Sequence, residues 1–497
     1  MTRDSRWVAL IVLCAGTLMT ILDGTIVTVA LPSIQKDLGF SQPSLAWVVN
    51  AYLIAFGGLL LLAGRLGDLV GRKRVFVTGL AVFTAASLWC GLSASRDMLI
   101  IARFAQGIGA AMTTAVVLGM VITMFPEPPL RAKAIGGYSF AGAAGASVGV
   151  LAGGLITQAV NWHWVFFVNV PVGILATVAA VRVIEPDHAV GIGLRAGADA
   201  LGAVLVTGGL MLGVATVVGT ASYGWVSGRT LGTAAATAAL LAAFDWRQAA
   251  AARPLLPLRV FRSRDVTVGN IVQALMVAGM LGFQFILPLY LRRVLGYDPA
   301  ETGLAFLPIT VVIAAVSVAV APRLNTRFGP RAVVLASLPM LAAGLALLTQ
   351  AGGQERFGAG LLPVLLLLGI GAGLALPAVM MLVMSAVRAD DSGVVSGLAN
   401  TTQQVGGAVG VAVLATLASW RTGLLLASGH SAATALTAGY HLAFGVGAAS
   451  VAAAFGVAVT LGRPGLRAGR PTRRTPAGQT TGSEPGRPAD SHRVGPQ

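Results

Sequence analysis

Charged side chains are scarce in this chain of 497 residues: only 10% are Asp, Glu, Lys or Arg, and only 18 are acidic. An average soluble domain is about 25% charged. Hydrophobic residues instead make up 56% of the chain. A soluble globular protein is therefore excluded, and the composition indicates a protein of the lipid bilayer.

Cysteine and histidine are also rare. The two cysteines, Cys14 and Cys90, lie in apolar blocks without a CxxC spacing, so neither a disulfide framework nor a metal site is indicated. The five histidines are scattered, which excludes the clustered side chains of a membrane-embedded enzyme. The absence of a GxxxxGK(S/T) loop excludes an ATP-driven pump. We expect no enzymatic activity, no cofactor and no bound metal.

Apolar residues occur in blocks of about 20, the length with which a helix crosses a hydrocarbon core of about 30 Å. Segments of about 10 residues with alternating polarity, which a membrane barrel needs, do not appear. The sequence therefore predicts an all-α membrane protein with fourteen spans. These spans run over residues 7–30, 44–63, 75–94, 98–124, 134–157, 164–184, 198–219, 229–246, 266–290, 301–321, 331–350, 360–385, 394–420 and 438–461.

The basic residues indicate how the spans are oriented. Of the 34 Lys and Arg residues, 26 lie in the two termini and in every second connection between the predicted spans. These segments are all expected on the same side of the membrane. Basic residues favour the cytoplasmic side, so both termini are expected in the cytoplasm. The same distribution explains the net charge of +16 without a nucleic-acid partner. The sequence predicts a multi-pass protein of the cell (inner or plasma) membrane, surrounded by lipid.

A weak internal repeat divides the predicted spans into two halves. Residues 64–74, GRLGDLVGRKR, follow the second span, and residues 322–332, PRLNTRFGPRA, follow the tenth. Repeated halves around a central site are typical of transporters. We therefore expect a six-helix bundle over 1–184, two inserted spans with linkers over 185–265, a second six-helix bundle over 266–461 and a disordered cytoplasmic tail over 462–497.

Several motifs occur in a fixed order along the chain. They are LDGTIVTVALPSI (22–34), GRLGDLVGRKR (64–74), RFAQGIGAA (103–111), a glycine series that continues into WHWVFFVNVPVG (162–173), and GLANTTQQVGGAVG (397–410). In this combination the sequence resembles the major facilitator superfamily, specifically its fourteen-span drug:proton antiporter branch. The resemblance implies the major facilitator fold, with alternating access to a central site. We expect the chain to function as a monomer.

One position departs from the family pattern. Span 5 keeps the glycines of the antiporter motif at Gly145, Gly149, Gly153 and Gly154, but Val150 stands where the family has proline. A proline would remove a backbone hydrogen bond and bend the helix. The family's account of this helix as an antiport-specific hinge therefore does not carry over directly. A proton-coupled importer of a small metabolite on the same fold remains an alternative to an exporter.

Asp23 and Arg103 are charged residues inside predicted spans. A carboxylate about 24 Å from the cytoplasmic end of its span is costly, and it is expected to pair, to face water or to bind a proton. Arg103 lies at nearly the same depth in span 4, and the resemblance implies that spans 1 and 4 are neighbours. We predict that Asp23 carries the proton and that Arg103 tunes it. The alternatives are an Asp23 that reaches interfacial water and an Arg103 that snorkels to the outer headgroups.

Residues 64–74 are predicted to form a short cytoplasmic loop. Its basic residues follow the topology rule, but an aspartate flanked by glycines does not. In the family, this loop latches one access state, with its aspartate at the N-terminus of a neighbouring helix. We predict a gating loop, with topology alone as the alternative; its residues are Gly64, Arg65, Asp68, Gly71, Arg72 and Lys73.

Amide side chains share one helical face in span 9 and another in span 13. Amides that faced lipid would be unsatisfied, so they point into the bundle, either as interhelical hydrogen bonds or as the lining of a cavity. Spans 9 to 14 contain no acidic residue at mid-membrane, which favours neutral, zwitterionic or anionic substrates. The candidate substrate cavity comprises Gln106, Asn270, Gln273, Gln284, Asn400, Gln403 and Gln404.

These observations together predict proton-coupled efflux of hydrophobic or amphipathic small molecules, such as antibiotics, by alternating access. The expected partners are the small-molecule substrate and protons. A channel is a further rival. The two differ in the effect of neutralising Asp23, which in a channel would leave the flux uncoupled from pH instead of abolishing it.

Overall fold

The computed structural model describes residues 3–185, 199–251, 254, 260–261, 263–350, 360–385 and 392–460, and all regular structure within them is helical. Besides the α-helices, the chain contains a π-helical segment, Val316–Val320, and a short 3-10 turn, Leu348–Gln350. The predicted tail over 462–497 lies outside the described residues. The α-helices are α1 (Arg3–Leu38), α2 (Gln42–Val70), α3 (Arg72–Gly91), α4 (Arg96–Met124), α5 (Pro128–Ala159), α6 (Trp164–Phe167), α7 (Asn169–Val183), α8 (Ala200–Tyr223), α9 (Gly228–Ala250), α10 (Arg264–Arg293), α11 (Pro299–Ala315), α12 (Ala321–Phe328), α13 (Pro330–Leu347), α14 (Leu362–Ser385), α15 (Ser392–Ala427) and α16 (Ala432–Thr460).

Twelve helices among the described residues are long and apolar enough to cross a membrane, so the predicted count of fourteen is not confirmed. The two remaining predicted spans are helical as well, within α5 and α9. In α5, only Val148–Ala159 stands out as an apolar segment, and it is short. Helix α9 is rich in alanine and carries charged side chains at Arg229, Asp245 and Arg247, which lower its hydropathy.

Local signals in the sequence set the helix ends. Ser41 accepts a hydrogen bond from Ser44 N at the start of α2, and Ser95 accepts one from Met98 N at the start of α4. Each cap satisfies a backbone N–H that has no partner within its own helix. Helix α11 begins with a capping box in which Asp298 and Glu301 exchange hydrogen bonds with each other's backbone.

The short connections between α1 and α2, α2 and α3, and α3 and α4 define two ends of the bundle. At one end, Arg96 donates from Nε to Leu38 O at 2.9 Å and thereby joins the turn after α1 to the start of α4. We call this the Gly39 end, after the glycine of that turn. The opposite end, where α2 meets α3, we call the Gly71 end.

The prediction of a loop over 64–74 is wrong, because this segment is helical on both sides of Gly71. Helix α2 continues to Val70 and α3 begins at Arg72, so Gly71 alone breaks the helical path, with φ +101°. Gly329 breaks the path between α12 and α13 in the same way, with φ +80°. Glycine adopts positive φ without a steric penalty. The two glycines that the repeat aligns therefore have the same structural role.

Helix neighbours follow the same pattern in two sets. Helices α1, α2, α3, α4, α5 and α7 pack against one another as α10, α11, α13, α14, α15 and α16 do: the α1–α5, α2–α4 and α3–α4 contacts correspond to α10–α15, α11–α14 and α13–α14. The two sets meet through α2 with α15 and through α5 with α11. Helix α8 packs on both α2 and α15 and pairs with α9.

Candidate functional site: a buried ion pair

Asp23 and Arg103 form an ion pair in the interior of the first set of helices. Arg103 Nη1 lies 2.6 Å from Asp23 Oδ2, and their side chains are 2% and 0% exposed. The expected proximity of the two residues is therefore present. The alternatives in which Asp23 reaches interfacial water or Arg103 snorkels to the headgroups do not hold in this structure.

The Asp23 carboxylate accepts hydrogen bonds from three side chains on two helices, α4 and α7. Besides Arg103 on α4, Gln106 Nε2 donates to Oδ1 at 2.8 Å, and Asn169 Nδ2 donates to Oδ1 at 2.9 Å. All three donors are buried. An ionised carboxylate has only acceptor sites, and here both oxygens have donors, so the arrangement matches the charged form of Asp23.

The guanidinium of Arg103 is held independently of Asp23. Its Nε donates to Val48 O on α2 at 2.9 Å, and Nη1 also donates to Gln106 Oε1 at 2.5 Å. The rings of Tyr52 and Phe166 face its central carbon at 4.4 and 5.8 Å. The charge is therefore compensated by one carboxylate, by neutral acceptors and by aromatic faces.

Gln106 belongs to this buried network and not to the wall of a cavity, where the sequence placed it. Its Nε2 also donates to Ser87 Oγ at 2.8 Å, and Cys90 Sγ donates to its Oε1 at 3.6 Å. Both partners lie on α3. Five helices, α1, α2, α3, α4 and α7, therefore contribute hydrogen-bonding groups to the site, and α6 contributes the ring of Phe166.

Sequence reasoning missed Asn169 as a partner of Asp23. The residue stands alone as an amide in the apolar stretch FFVNVPVG, and a lone buried amide in a span is a signal for a specific partner.

Removing one partner of a buried ion pair typically costs about 3–5 kcal/mol, so the network stabilises one arrangement strongly. Among the described residues no group of three or more His, Cys, Asp or Glu side chains is placed to hold a metal ion.

Two basic residues of the predicted gating segment bind backbone carbonyl oxygens of helices within their own set. Arg72 Nη1 donates to Gly119 O on α4 at 3.2 Å, and Lys73 Nζ donates to Val181 O on α7 at 2.8 Å. Val181 lies in the last turn of α7, where the helix dipole favours a cation, whereas Gly119 lies five residues before the end of α4. Gly64 and Arg65 lie in the last turns of α2, and the side chain of Asp68 is outside the described part of the structure.

The glycines of the antiporter motif allow helices to approach closely. A Cβ atom at any of them would lie 2.6–3.0 Å from a backbone oxygen of the neighbouring helix. Such a stripe of glycines lets helix backbones pack in a membrane. The pairs are Gly145 with Leu18, Gly149 with Leu22 and Gly153 with Ile26 on α1, and Gly154 with Pro299 at the start of α11.

The remaining cavity candidates lie on α10 and α15. Asn270 and Gln273 are buried, and Asn270 Oδ1 and Gln273 Oε1 have no hydrogen-bond partner. Gln404 packs against Gly57 of α2, so it lies at the contact between the two sets of helices. Gln284, Asn400 and Gln403 are partly buried, and Asn400 has an interacting partner.

Comparison with known proteins gives the family. Residues 13–411 match the model of the Major Facilitator Superfamily. The puromycin resistance protein pur8 of Streptomyces alboniger is 37% identical over 487 residues, which cover 97% of this chain and 95% of that protein. The cephamycin export protein CmcT of Amycolatopsis lactamdurans is 39% identical over 413 residues, which cover 82% of this chain and 84% of that protein.

A solved structure shares the fold. A bacterial homologue of the human lysosomal transporter Spinster, in an inward-facing and unoccupied conformation, has a TM-score of 0.64 at 17% identity, covering 93% of this chain and 97% of that chain. The helical architecture, the family match and these relatives agree. The chain is a multi-pass membrane protein that belongs to the major facilitator superfamily.

Proposed function

We propose that this protein is a proton-driven exporter of hydrophobic or amphipathic small molecules, antibiotics among them, that acts as a monomer in the cell membrane. The observation that carries the proposal is the buried pair of Asp23 and Arg103 with its three-donor network. The names of the relatives, which mention puromycin resistance and cephamycin export, support an antibiotic as the substrate.

Proton coupling follows from the electrostatics of the pair. When a proton binds an oxygen of Asp23, the carboxyl group becomes neutral and the charge of Arg103 loses its compensation in an apolar interior. That arrangement is costly, so the helices that hold the two side chains are driven towards a different packing. Because α1 and α4 are tied to α3 and α7 through Gln106 and Asn169, the change is passed to much of the first set of helices.

Alternating access requires two bodies that move relative to each other. We assign them to a bundle over 1–184 and a bundle over 266–461, with the α8–α9 pair between them, and we count α5 and α9 as spans to give fourteen crossings. The repeated pattern of helix neighbours supports this division. The basic residues concentrated at the Gly71 end support a cytoplasmic position for that end and for both termini.

The contacts between the two bundles at the Gly39 end match a state that is closed to the outside. Arg292 Nη1 donates to Ser33 Oγ at 2.7 Å, and Ala300 N donates to Gln158 Oε1 at 3.1 Å. In the proposed cycle these contacts break when the protein opens outward. The segment from Gly64 to Lys73 would gate the opposite, cytoplasmic end.

We assign substrate binding to the amide side chains of α10 and α15. The unpaired oxygens of Asn270 and Gln273 lie one helical turn apart, and buried acceptors without donors favour a ligand that carries N–H or O–H groups. The mid-membrane part of each span in the second set of helices lacks acidic residues, which supports neutral, zwitterionic or anionic substrates.

Everted membrane vesicles test the direction and the driving force. In such vesicles an exporter moves drug into the lumen when the lumen is acidic, and a protonophore abolishes this accumulation. Vesicles without the protein provide the control. Accumulation driven by an alkaline lumen would identify an importer, and accumulation that ignores the protonophore would contradict proton coupling.

A further inference from the structure

A solvent-accessible cavity of about 600 Å³ lies at the Gly39 end. Its walls come from the end of α1, the end of α3 and the segment that leads into α7. These are three of the helices that carry Asp23 and its partners. The polar side chains that line it include Asp37, Ser93, Asn161 and His163.

The hydrogen bond to α3 fixes the tautomer of His163. Its Nδ1 lies 2.9 Å from Gly91 O, and a carbonyl oxygen can only accept. Nδ1 therefore carries a hydrogen in both the neutral and the charged imidazole. Nε2 is bare when the ring is neutral, and it lies 3.8 Å from Asp37 Oδ2, which is also an acceptor.

Nε2 of the neutral ring and Asp37 Oδ2 are both acceptors, so the two atoms together can bind one proton. A proton on Nε2 would turn the contact between His163 and Asp37 into an ion pair. Trp162 holds the carboxylate in position, because its Nε1 donates to Asp37 Oδ2 at 2.8 Å and its indole stacks on the imidazole at 3.7 Å. Imidazole is the side chain whose charge ordinarily changes between pH 5 and 8.

Few charged groups face His163 from the elements around it. Helix α1 presents Asp37, and α3 presents the Gly91 carbonyl with the uncharged residues that follow it. Lys36 and Arg96 are exposed cations at the same end, and Arg96 is bonded to Leu38 O. The Asp37 carboxylate is thus the charge that governs a proton on Nε2.

The same segment of chain connects this pair to the buried site. His163 precedes Asn169 by six residues, about 9 Å along a helix, and Asn169 donates to Asp23. Gly91, which accepts from His163, follows Cys90, which donates to Gln106. Phe166, which follows His163 by three residues, is buried, and its ring faces Arg103 at 5.8 Å.

We propose that His163 and Asp37 form a second proton-binding site, which takes protons from the outer medium and delivers them towards Asp23. The inference rests on the proposed function, because it needs the Gly39 end to face outward. Solvent in the cavity transfers a proton to Nε2, which then donates to Asp37 Oδ2 while Nδ1–H stays bonded to Gly91 O. On release, Nε2 becomes bare again, and the proton reaches an oxygen of Asp23 when the protein opens outward.

Drug uptake into everted vesicles at varied luminal pH tests this site, because the lumen contacts the outer face of the protein. His163→Gln should shift the pH of half-maximal uptake downward by about one unit. Asp37→Asn should shift it in the same direction, because the anion that stabilises the imidazolium is lost. His430→Gln is the matched control: His430 lies in the connection from α15 to α16 at the same end and bonds only locally, to Ser428. This variant should follow the unmodified protein.

Tryptophan fluorescence gives a readout that does not depend on transport. A protonated imidazole quenches a stacked indole, so the emission of the purified full-length protein should fall on acidification through the transition. His163→Gln should lose this step, and His430→Gln should keep it.

Unchanged pH dependence of both uptake and fluorescence in His163→Gln would overturn the proposal, as would a loss of activity that only follows the amount of folded protein. The outcome is separable from that of the proposed function. If Asp23→Asn abolishes coupled uptake while His163→Gln behaves like the unmodified protein, the second site alone is refuted. If Asp23→Asn has no effect on coupling, the proposed function itself fails.

Discussion

The side-chain amide of Asn169 donates to Asp23 Oδ1 at 2.9 Å, although the two residues are 146 positions apart in the chain. A residue at the start of α7 thereby stabilises the charged form of a carboxylate on α1. Arg103 supplies the charge that compensates Asp23, and Asn169 and Gln106 supply neutral donors. Each contribution is separable by substitution.

Asn169→Leu removes one donor without changing any charge. One neutral donor is then missing from a buried network, so drug uptake driven by an acidic lumen should fall. Uptake into everted vesicles at equal amounts of protein gives the decrease. Asn169→Ser keeps a short donor, so its uptake should be intermediate between that of the unmodified protein and that of Asn169→Leu. Thr177→Val is the control on the same helix, because its hydroxyl bonds only to Gly173 O.

Arg103→Lys keeps the positive charge but loses the planar group that reaches Asp23, Val48 O and Gln106 together. An ammonium cannot reproduce this fork, so drug uptake should fall at least about tenfold while the protein still folds. Transport at equal amounts of purified protein measures the effect. Full activity in Arg103→Lys would show that charge alone suffices and that the geometry of the network is unimportant.

Gly153→Ala tests the close contact between α1 and α5. The added Cβ would lie 2.6 Å from Ile26 O, so the helices must separate, at a cost of about 1–3 kcal/mol. Thermal unfolding in detergent should show a lower midpoint, and transport should decrease. Gly137→Ala, whose Cβ would meet only the end of the Leu10 side chain at 4.0 Å, should be tolerated. Equal stability of the two variants would contradict this account of α5.

Asp199→Ala tests how the α8–α9 pair is held. Asp199 accepts from Gly202 N at the start of α8 and from Arg247 and Gln248 at the end of α9, at 2.8–3.0 Å. Loss of the cap and of these bonds should lower stability by about 1–2 kcal/mol. Asp245→Ala, an exposed position on α9, provides the control.

The contribution of Asp199 also depends on pH. Burial raises the pKa of Asp199, but the hydrogen bonds from Arg247, Gly202 and Gln248 outweigh it and lower the pKa overall. A carboxyl whose folded pKa is depressed stabilises the protein above its ordinary pKa, and this stabilisation is lost as the pH falls through the folded value. The difference between the unmodified protein and Asp199→Ala should therefore be constant near neutral pH and disappear only below about pH 4.

Apolar length predicted most of the helices, because the bilayer fixes how long a span must be. Helices α5 and α9 were the difficult cases: only Val148–Ala159 of α5 stands out as apolar, and the alanines and three charged residues of α9 lower its hydropathy. The segment over 64–74 was mistaken for a loop because polar residues suggest one, whereas a single glycine with positive φ is enough to turn the chain.

The site was predictable where charge was involved. A carboxylate and a guanidinium inside apolar spans are too costly to remain apart, which identified Asp23 and Arg103. A neutral amide in a span also needs a hydrogen-bond partner, but the sequence does not indicate on which neighbouring helix that partner lies. Gln106 was therefore assigned to the wrong environment, and Asn169 was not recognised.

Drug-driven proton movement in liposomes tests the central claim most directly. Purified protein is reconstituted around a pH-sensitive dye, and a drug gradient is imposed. The unmodified protein should move protons against the direction of drug flow. Asp23→Asn should abolish this proton movement. Proton movement in Asp23→Asn equal to that of the unmodified protein would contradict the assignment of Asp23 as the coupling residue.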